Sequence, residues 1–179
     1  MEEDPNIGRV VANRYKLTDL VGKGAMGRVY RAEDVLLGSV IAVKFLAHTL
    51  LNRKMRDRFK IEARTCAQLG QRSIHIVRVT DYGVNEDDIP FYVMEYLKGE
   101  SLSEIINTQP LPLPRFLSIT RQVCLGLQCA HEGILIDNRS SPIIHRDIKP
   151  SNILVSQDAS LGELAKILDF GIAKLIQED

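Results

Sequence analysis

The chain has 179 residues, 45% of them hydrophobic, which is enough to bury one ordinary core. Lys plus Arg and Asp plus Glu both number 23, so the formal net charge is zero, and nothing favours a polyanion partner such as nucleic acid or an acidic membrane surface. The three cysteines, Cys66, Cys124 and Cys129, are odd in number, lack metal-site spacing and sit among apolar residues, which reads as reduced, buried thiols of a cytoplasmic protein.

The start, Met1-Glu2-Glu3-Asp4-Pro5, is acidic with no apolar run behind it, so it does not read as a signal peptide. No apolar run approaches the ~18 residues that a membrane span needs, so no membrane segment is expected and the location is read as cytoplasmic. Residues 15–21 read as a strand and lead into Gly22-Lys23-Gly24-Ala25-Met26-Gly27. Glycines let backbone amides approach phosphates with no Cβ in the way. Such a loop is a weak signal alone, and the next element in the chain discriminates. In a dinucleotide-binding unit the loop opens a helix, whereas Arg28-Val29-Tyr30-Arg31-Ala32 alternates polar and apolar, as a strand does. The loop is therefore a hairpin, either a flap over a nucleotide or an ordinary flexible turn.

Residues 39–45 form the clearest strand. Alternation puts Val40, Ala42 and Lys44 on one side. A lysine on an apolar face must be paired or reach water, and Ala42 is small enough to let a flat ring lie against the strand. A helix is predicted over residues 53 to about 69, with Phe59, Ala63 and Cys66 as its inward stripe and Glu62 beside it. An inward carboxylate wants a cation, and Lys44 is the candidate. Its basic residues Arg53, Lys54, Arg56, Arg58 and Lys60 read as a solvated face. Strands at 77–82 and 91–96 bring the count to five strands and one helix before residue 97.

Ser101-Leu102-Ser103-Glu104 is a capping box that starts a short helix. Pro114 suits the first turn of a longer one, in which Phe116, Ile119, Val123, Leu127 and Ala130 keep helical spacing before His131-Glu132-Gly133 ends it. His131 reads as structural. Residues 134–142 contain Asp-Asn and Ser-Ser-Pro turns and read as a surface loop. The densest chemistry lies in His145-Arg146-Asp147-Ile148-Lys149-Pro150-Ser151-Asn152, closed by Asp169-Phe170-Gly171. Asp147 can accept a proton, Lys149 can neutralise a transferring phosphoryl group, and Asn152 and Asp169 offer hard oxygens that suit Mg²⁺.

This constellation resembles the catalytic loop and metal-binding motif of the eukaryotic-type (Hanks-type) serine/threonine protein kinases. Gly24-Ala25-Met26-Gly27 and Asp169-Phe170-Gly171-Ile172-Ala173-Lys174 resemble bacterial members. Ile41-Ala42-Val43-Lys44 is similar to the family's V-A-I-K strand. The resemblance implies an α+β, protein-kinase-like two-lobe fold. Its N-lobe would be complete, with a five-stranded antiparallel sheet and helix C, and its mainly helical C-lobe incomplete. Residues 1–12 would be an N-terminal tail and 13–179 a truncated kinase domain, divided into 13–96 and 97–179 with the hinge starting at residue 95.

The implied activity is ATP-dependent phosphoryl transfer to Ser/Thr hydroxyls of a protein substrate, with ATP and Mg²⁺ as cofactors. Asp147 and Lys149 would be catalytic, and Asn152 and Asp169 would hold the metal. ATP would meet Val21, Gly22, Lys23, Gly24, Ala25, Met26, Gly27, Arg28 and Val29 of the flap. It would also meet Ala42, Lys44 with its partner Glu62, Met94 before the hinge, Glu95 and Leu97 within it, and Leu154 beneath the ring. Lys149, two residues after Asp147, matches the serine/threonine type. Relatives continue well past Gly171, and residues 172–179 contain no Ser, Thr or Tyr to be phosphorylated. The alternative is therefore a regulatory or nucleotide-binding fragment without transfer activity, whose 114–130 helix a missing C-terminal segment or a partner would cover.

Overall fold

The computed structural model describes residues 4–24, 26–136 and 139–170, and of Ile136 the backbone only. Ala25, Asp137, Asn138, Gly171 and residues 172–179, with the sequence readings made for them, lie outside the described residues. Two compact units emerge, one of Met1–Ala63 with Val79–Tyr96, the other of Arg64–Arg78 with Leu97–Asp179.

The first unit is built on a six-stranded antiparallel sheet in the order β1-β2-β3-β4-β6-β5. Its strands are β1 (Val10–Val11), β2 (Tyr15–Gly24), β3 (Gly27–Asp34), β4 (Ser39–Leu46), β5 (Val79–Val84) and β6 (Pro90–Glu95). The sequence predicts five. The sixth comes from the stretch read as a tail, where Val10 and Val11 pair with Lys16 and Tyr15 around a tight turn. Two adjacent valines carry no alternation pattern, so only the pairing reveals this strand. On one face of the sheet Val11, Tyr15, Leu17, Tyr30, Ala32, Val43, Phe91 and Val93 form a core cluster with Ile41 and Phe45 packed against it. The other face carries Ala42, Lys44 and Tyr92, and the helix α1 (Arg53–Arg72) lays Phe59 against Tyr92 with ring centroids 4.9 Å apart. Asn52 caps α1, its Oδ1 accepting from the Met55 amide at 2.9 Å.

The predicted first lobe takes in all of 13–96, yet residues 64–78 cluster with the second unit. The reason is main-chain pairing. The Val77 amide donates to the Ile167 carbonyl at 3.0 Å, and the Ile167 amide to the His75 carbonyl at 2.8 Å. In this second unit β7 (Gly99–Ser101), β10 (Ile153–Asp158) and β11 (Gly162–Ile167) form a sheet in the order β11-β10-β7. The predicted capping box is present at the start of α2 (Leu102–Thr108): Ser101 Oγ accepts from the Glu104 amide, and Glu104 Oε2 accepts from the Ser101 amide at 2.7 Å. Helix α3 (Leu113–His131) buries Ile119, Val123, Gly126 and Ala130. Gly126 lets it approach the sheet, because a Cβ there would lie 2.9 Å from Ile167 Cδ1.

Phe116 is 49% exposed and its neighbour Leu117 56%, on the helix for which a cover was expected. Two readings are corrected. Cys124 is exposed, while Cys66 and Cys129 are buried. The stretch read as a surface loop is an antiparallel hairpin, β8 (Ile134–Ile136) with β9 (Arg139–Ser141). Its base is pinned because Arg72 donates to the Gly133 carbonyl and Ser140 Oγ to the Glu132 carbonyl. Among the described residues no helix is long and apolar enough to cross a membrane.

Candidate active site

In the first unit the candidate residues come from β2, β3, β4, β6 and α1. Antiparallel register sets Lys44 opposite Val29 on one side and opposite Tyr92 on the other, with Ala42 opposite Met94. Lys44 Nζ lies 3.0 Å from Glu62 Oε1, and the two residues are 5% and 6% exposed. A charge removed from water must be compensated, and strand alternation and helix spacing bring these two groups together from 18 residues apart. The pairing expected from sequence is present. One partner was not foreseen: the Tyr92 hydroxyl donates to the same Glu62 oxygen at 2.8 Å. The signal was its place on the strand, since Tyr92 shares the alternation phase of Met94, which lies on the Lys44 face.

The flap is the hairpin between β2 and β3. Of its glycines, only Gly27 is required by the chain itself. Its φ is +155°, and a Cβ would fall 1.8 Å from the Phe45 carbonyl oxygen. A Cβ on Gly24 would meet nothing within 4 Å, and one on Gly22 only Val29 at ordinary contact distance. Those two glycines answer to no packing demand of the described residues. Val21, Lys23 and Gly24 are exposed, and Gly22, Met26 and Val29 half-buried. The Arg28 side chain does not share the face of Lys44. Its strand partner is Phe45, and its Nη1 pairs with Asp4 at 3.1 Å. Its side chain therefore faces away from Lys44. Arg28 and Lys23 instead border a cavity of about 630 Å³ floored by Leu17, Tyr30 and Leu46, away from Ala42 and Lys44. Glu95 and Tyr96 end the first unit and Leu97 begins the second, all three half-buried.

In the second unit the loop 145–152 is held at both ends. The Asp147 amide donates to His145 Nδ1 at 3.2 Å, so the ring proton sits on Nε2, which donates to the Leu168 carbonyl at 2.9 Å. The His145 ring also packs against Phe170, centroids 4.7 Å apart with the planes tilted by 53°, and both are buried. The Leu168 amide donates to the Asn152 carbonyl at 2.9 Å, which sets Asp169 one residue beyond that anchor. Asp147 gathers its neighbours. Lys149 Nζ lies 3.1 Å from Asp147 Oδ2, and Asn152 Nδ2 donates to the Asp147 carbonyl at 2.9 Å and to Oδ2 at 3.1 Å.

The hydrogen bond and charge of Lys149 hold the Asp147 carboxyl below the usual carboxylate range against a smaller desolvation effect, with Asn152 helping. Asp147 is thus an anion at neutral pH, suited to accept and orient a hydroxyl proton. Because Asn152 spends its amide nitrogen on Asp147, its Oδ1 is the atom that could ligate a cation. Arg146 and Asp169 have φ of +63° and +46°, a left-handed conformation uncommon for non-glycine residues. Such conformations gather at functional sites. Leu154 is half-buried on β10, opposite Ser101 and Lys166.

The first unit thus carries a glycine hairpin beside a buried Lys–Glu pair, and the second an Asp–Lys–Asn cluster on one loop. The protein kinase domain model matches residues 15–179, and the chain belongs to that family. It is 60% identical to serine/threonine-protein kinase A of Synechocystis sp. over 178 residues, 99% of this chain and 34% of that protein. It is 36% identical to serine/threonine-protein kinase pkn3 of Myxococcus xanthus, covering 97% of this chain and 30% of that one. It thus spans about a third of these curated relatives. Among solved structures, the Mycobacterium tuberculosis PknI kinase domain matches with a TM-score of 0.70 and 26% identity, over 92% of this chain and 62% of that one. The expected protein-kinase-like fold is therefore present.

Proposed function

We propose that the protein of which this chain is part transfers the γ-phosphoryl group of ATP, with Mg²⁺, to serine or threonine hydroxyls of a protein. The observation that carries the reading is the Asp147–Lys149–Asn152 cluster, an ionised acceptor already hydrogen-bonded to the residue that would share the metal.

Asp147 orients the substrate hydroxyl and receives its proton, while Lys149 beside it stabilises negative charge on the transferring phosphoryl. Lys44, held by Glu62, binds the α- and β-phosphates under the flap of Gly22 to Val29. In the first unit Ala42, Met94 and the main chain of Glu95 would hold the adenine, and in the second the main chain of Leu97 and the Leu154 side chain would. Asn152 Oδ1 and the Asp169 carboxylate are the hard oxygens for Mg²⁺. Two protein ligands suffice, because Mg²⁺ in such sites keeps waters and takes substrate phosphates. Mg²⁺, when bound, supplies neutralisation of phosphate charge, and the residues supply position. The domain is taken as residues 13–179, acting in the cytoplasm.

The test incubates the chain with labelled ATP, Mg²⁺ and a generic protein acceptor. Label on Ser/Thr that is lost in Asp147→Asn is the expected result. Transfer that persists in Asp147→Asn overturns the assignment. ATP-dependent thermal stabilisation without transfer would mark a nucleotide-binding unit instead.

A further inference from the structure

We propose that Tyr92 is a positioning residue for nucleotide binding, a latch that holds Glu62 of α1 independently of Lys44. The inference rests on the phosphoryl-transfer reading for its functional consequence but not for its structural one.

Lys44 and Tyr92 are direct cross-strand partners on β4 and β6. Both reach the same acceptor, Glu62 Oε1, at 3.0 Å and 2.8 Å. Lys44 Nζ also lies over the Tyr92 ring, 5.5 Å from its centroid. All three residues are buried, and Tyr92 is 1% exposed. Phe59, one helical turn before Glu62, rests on the Tyr92 ring. One side chain therefore touches the cation, the carboxylate and the helix that carries the carboxylate.

The chemistry gives this arrangement a purpose. An ammonium that must serve phosphates as well as Glu62 shares its protons, so its hold on Glu62 weakens when nucleotide arrives. A buried carboxylate losing part of its cationic donor would tend to leave, and α1 with it. The tyrosine hydroxyl is a donor that carries no charge. It retains Glu62 without competing for the phosphates and without adding a cation that would need compensation. An apolar residue at position 92 would fill the same volume and leave Lys44 as the sole donor among these three.

The experiment compares wild type with Tyr92→Phe, which keeps the ring on Phe59 and removes only the hydroxyl, and with Tyr92→Leu, which removes both. Readouts are hydrogen exchange of amides 57–63, affinity for a non-hydrolysable ATP analogue with Mg²⁺, and the kcat and KM for ATP. The expected result is about tenfold weaker analogue binding in Tyr92→Phe, carried in KM more than in kcat, with faster exchange in 57–63. In a Glu62→Ala background, Tyr92→Phe should change neither, because the acceptor is gone. Unchanged exchange and affinity in Tyr92→Phe, with losses only in Tyr92→Leu, would reduce Tyr92 to packing and overturn the proposal. A wild-type chain that neither binds the analogue nor transfers phosphate would instead sink the kinase reading, and the exchange comparison would still decide the latch.

Discussion

Among the described residues, two lysine–carboxylate pairs of nearly equal length have opposite character. Lys44–Glu62 is 3.0 Å long with side chains 6% and 7% exposed, whereas Lys149–Asp147 is 3.1 Å long with side chains 51% and 47% exposed. The first bridges a strand and a helix and is enclosed by Tyr92 and Phe59. The second spans two positions of one loop, and both partners meet water. Geometry alone would rank them as equivalents, but solvent separates them. A buried pair resists being broken, because either partner left alone is a desolvated charge. An exposed pair contributes little to stability and exchanges partners freely. The first suits a group whose task is to stay in place, the second suits groups that must release each other for a substrate.

The largest effect that could break this contrast is on activity. Asp147→Asn should lower transfer by about 10²–10⁴-fold, while its unfolding free energy stays within about 1 kcal/mol of wild type. Steady-state kinetics beside urea denaturation would show it, and a large stability loss would mean the loop pair is structural after all. Lys44→Met should behave in the opposite sense for stability. It takes the cation from the buried Glu62 carboxylate, which keeps the Tyr92 hydroxyl, and should cost about 3–5 kcal/mol, visible as a lower denaturation midpoint. A melt unchanged from wild type would contradict the burial argument.

Smaller effects sharpen the contrast within the flap. Gly27→Ala forces a Cβ onto the Phe45 carbonyl and should destabilise by about 1–3 kcal/mol, whereas Gly24→Ala has open space and should leave the melt unchanged. If Gly24→Ala instead weakens ATP binding without moving the melt, the glycine answers to a ligand.

The smallest effect concerns pH. The folded Asp147 carboxyl sits below its ordinary value of 3.8. A depressed carboxylate contributes stability above the unfolded value that is lost only as pH falls through the folded one. Asp147 should therefore impose no rise in transfer rate with pH above about pH 5, and a rate profile with an ascending limb at neutral pH must come from another group. High salt should weaken the exposed pair and leave Lys44–Glu62 alone.

Much of the fold was legible because its signals are local. Alternation located β2 to β6, helical spacing located α1 and α3, and the Ser101–Glu104 box marked the start of α2. Lys44 and Glu62 could be paired in advance because each was a charge on an apolar face, and two such charges must find each other. Less could be read where the deciding neighbour is remote. Arg28 lies in the glycine flap by sequence, but strand register turned its side chain to the other face and to Asp4. Phe116 has core spacing on α3, yet the described residues leave it half exposed.

The sequence by itself determined β2 to β6, the three α-helices and the inventory of candidate site residues, since period, capping and residue chemistry act over a few positions along the chain. Tertiary structure alone decided that Tyr92 shares an oxygen with Lys44, and that Asn152 gives its nitrogen to Asp147 and keeps its oxygen. It also decided that His145 clamps the loop 145–152 to Leu168. Hydrogen bonds between distant residues depend on register and rotamer to within fractions of an ångström, and no one-dimensional pattern carries that information.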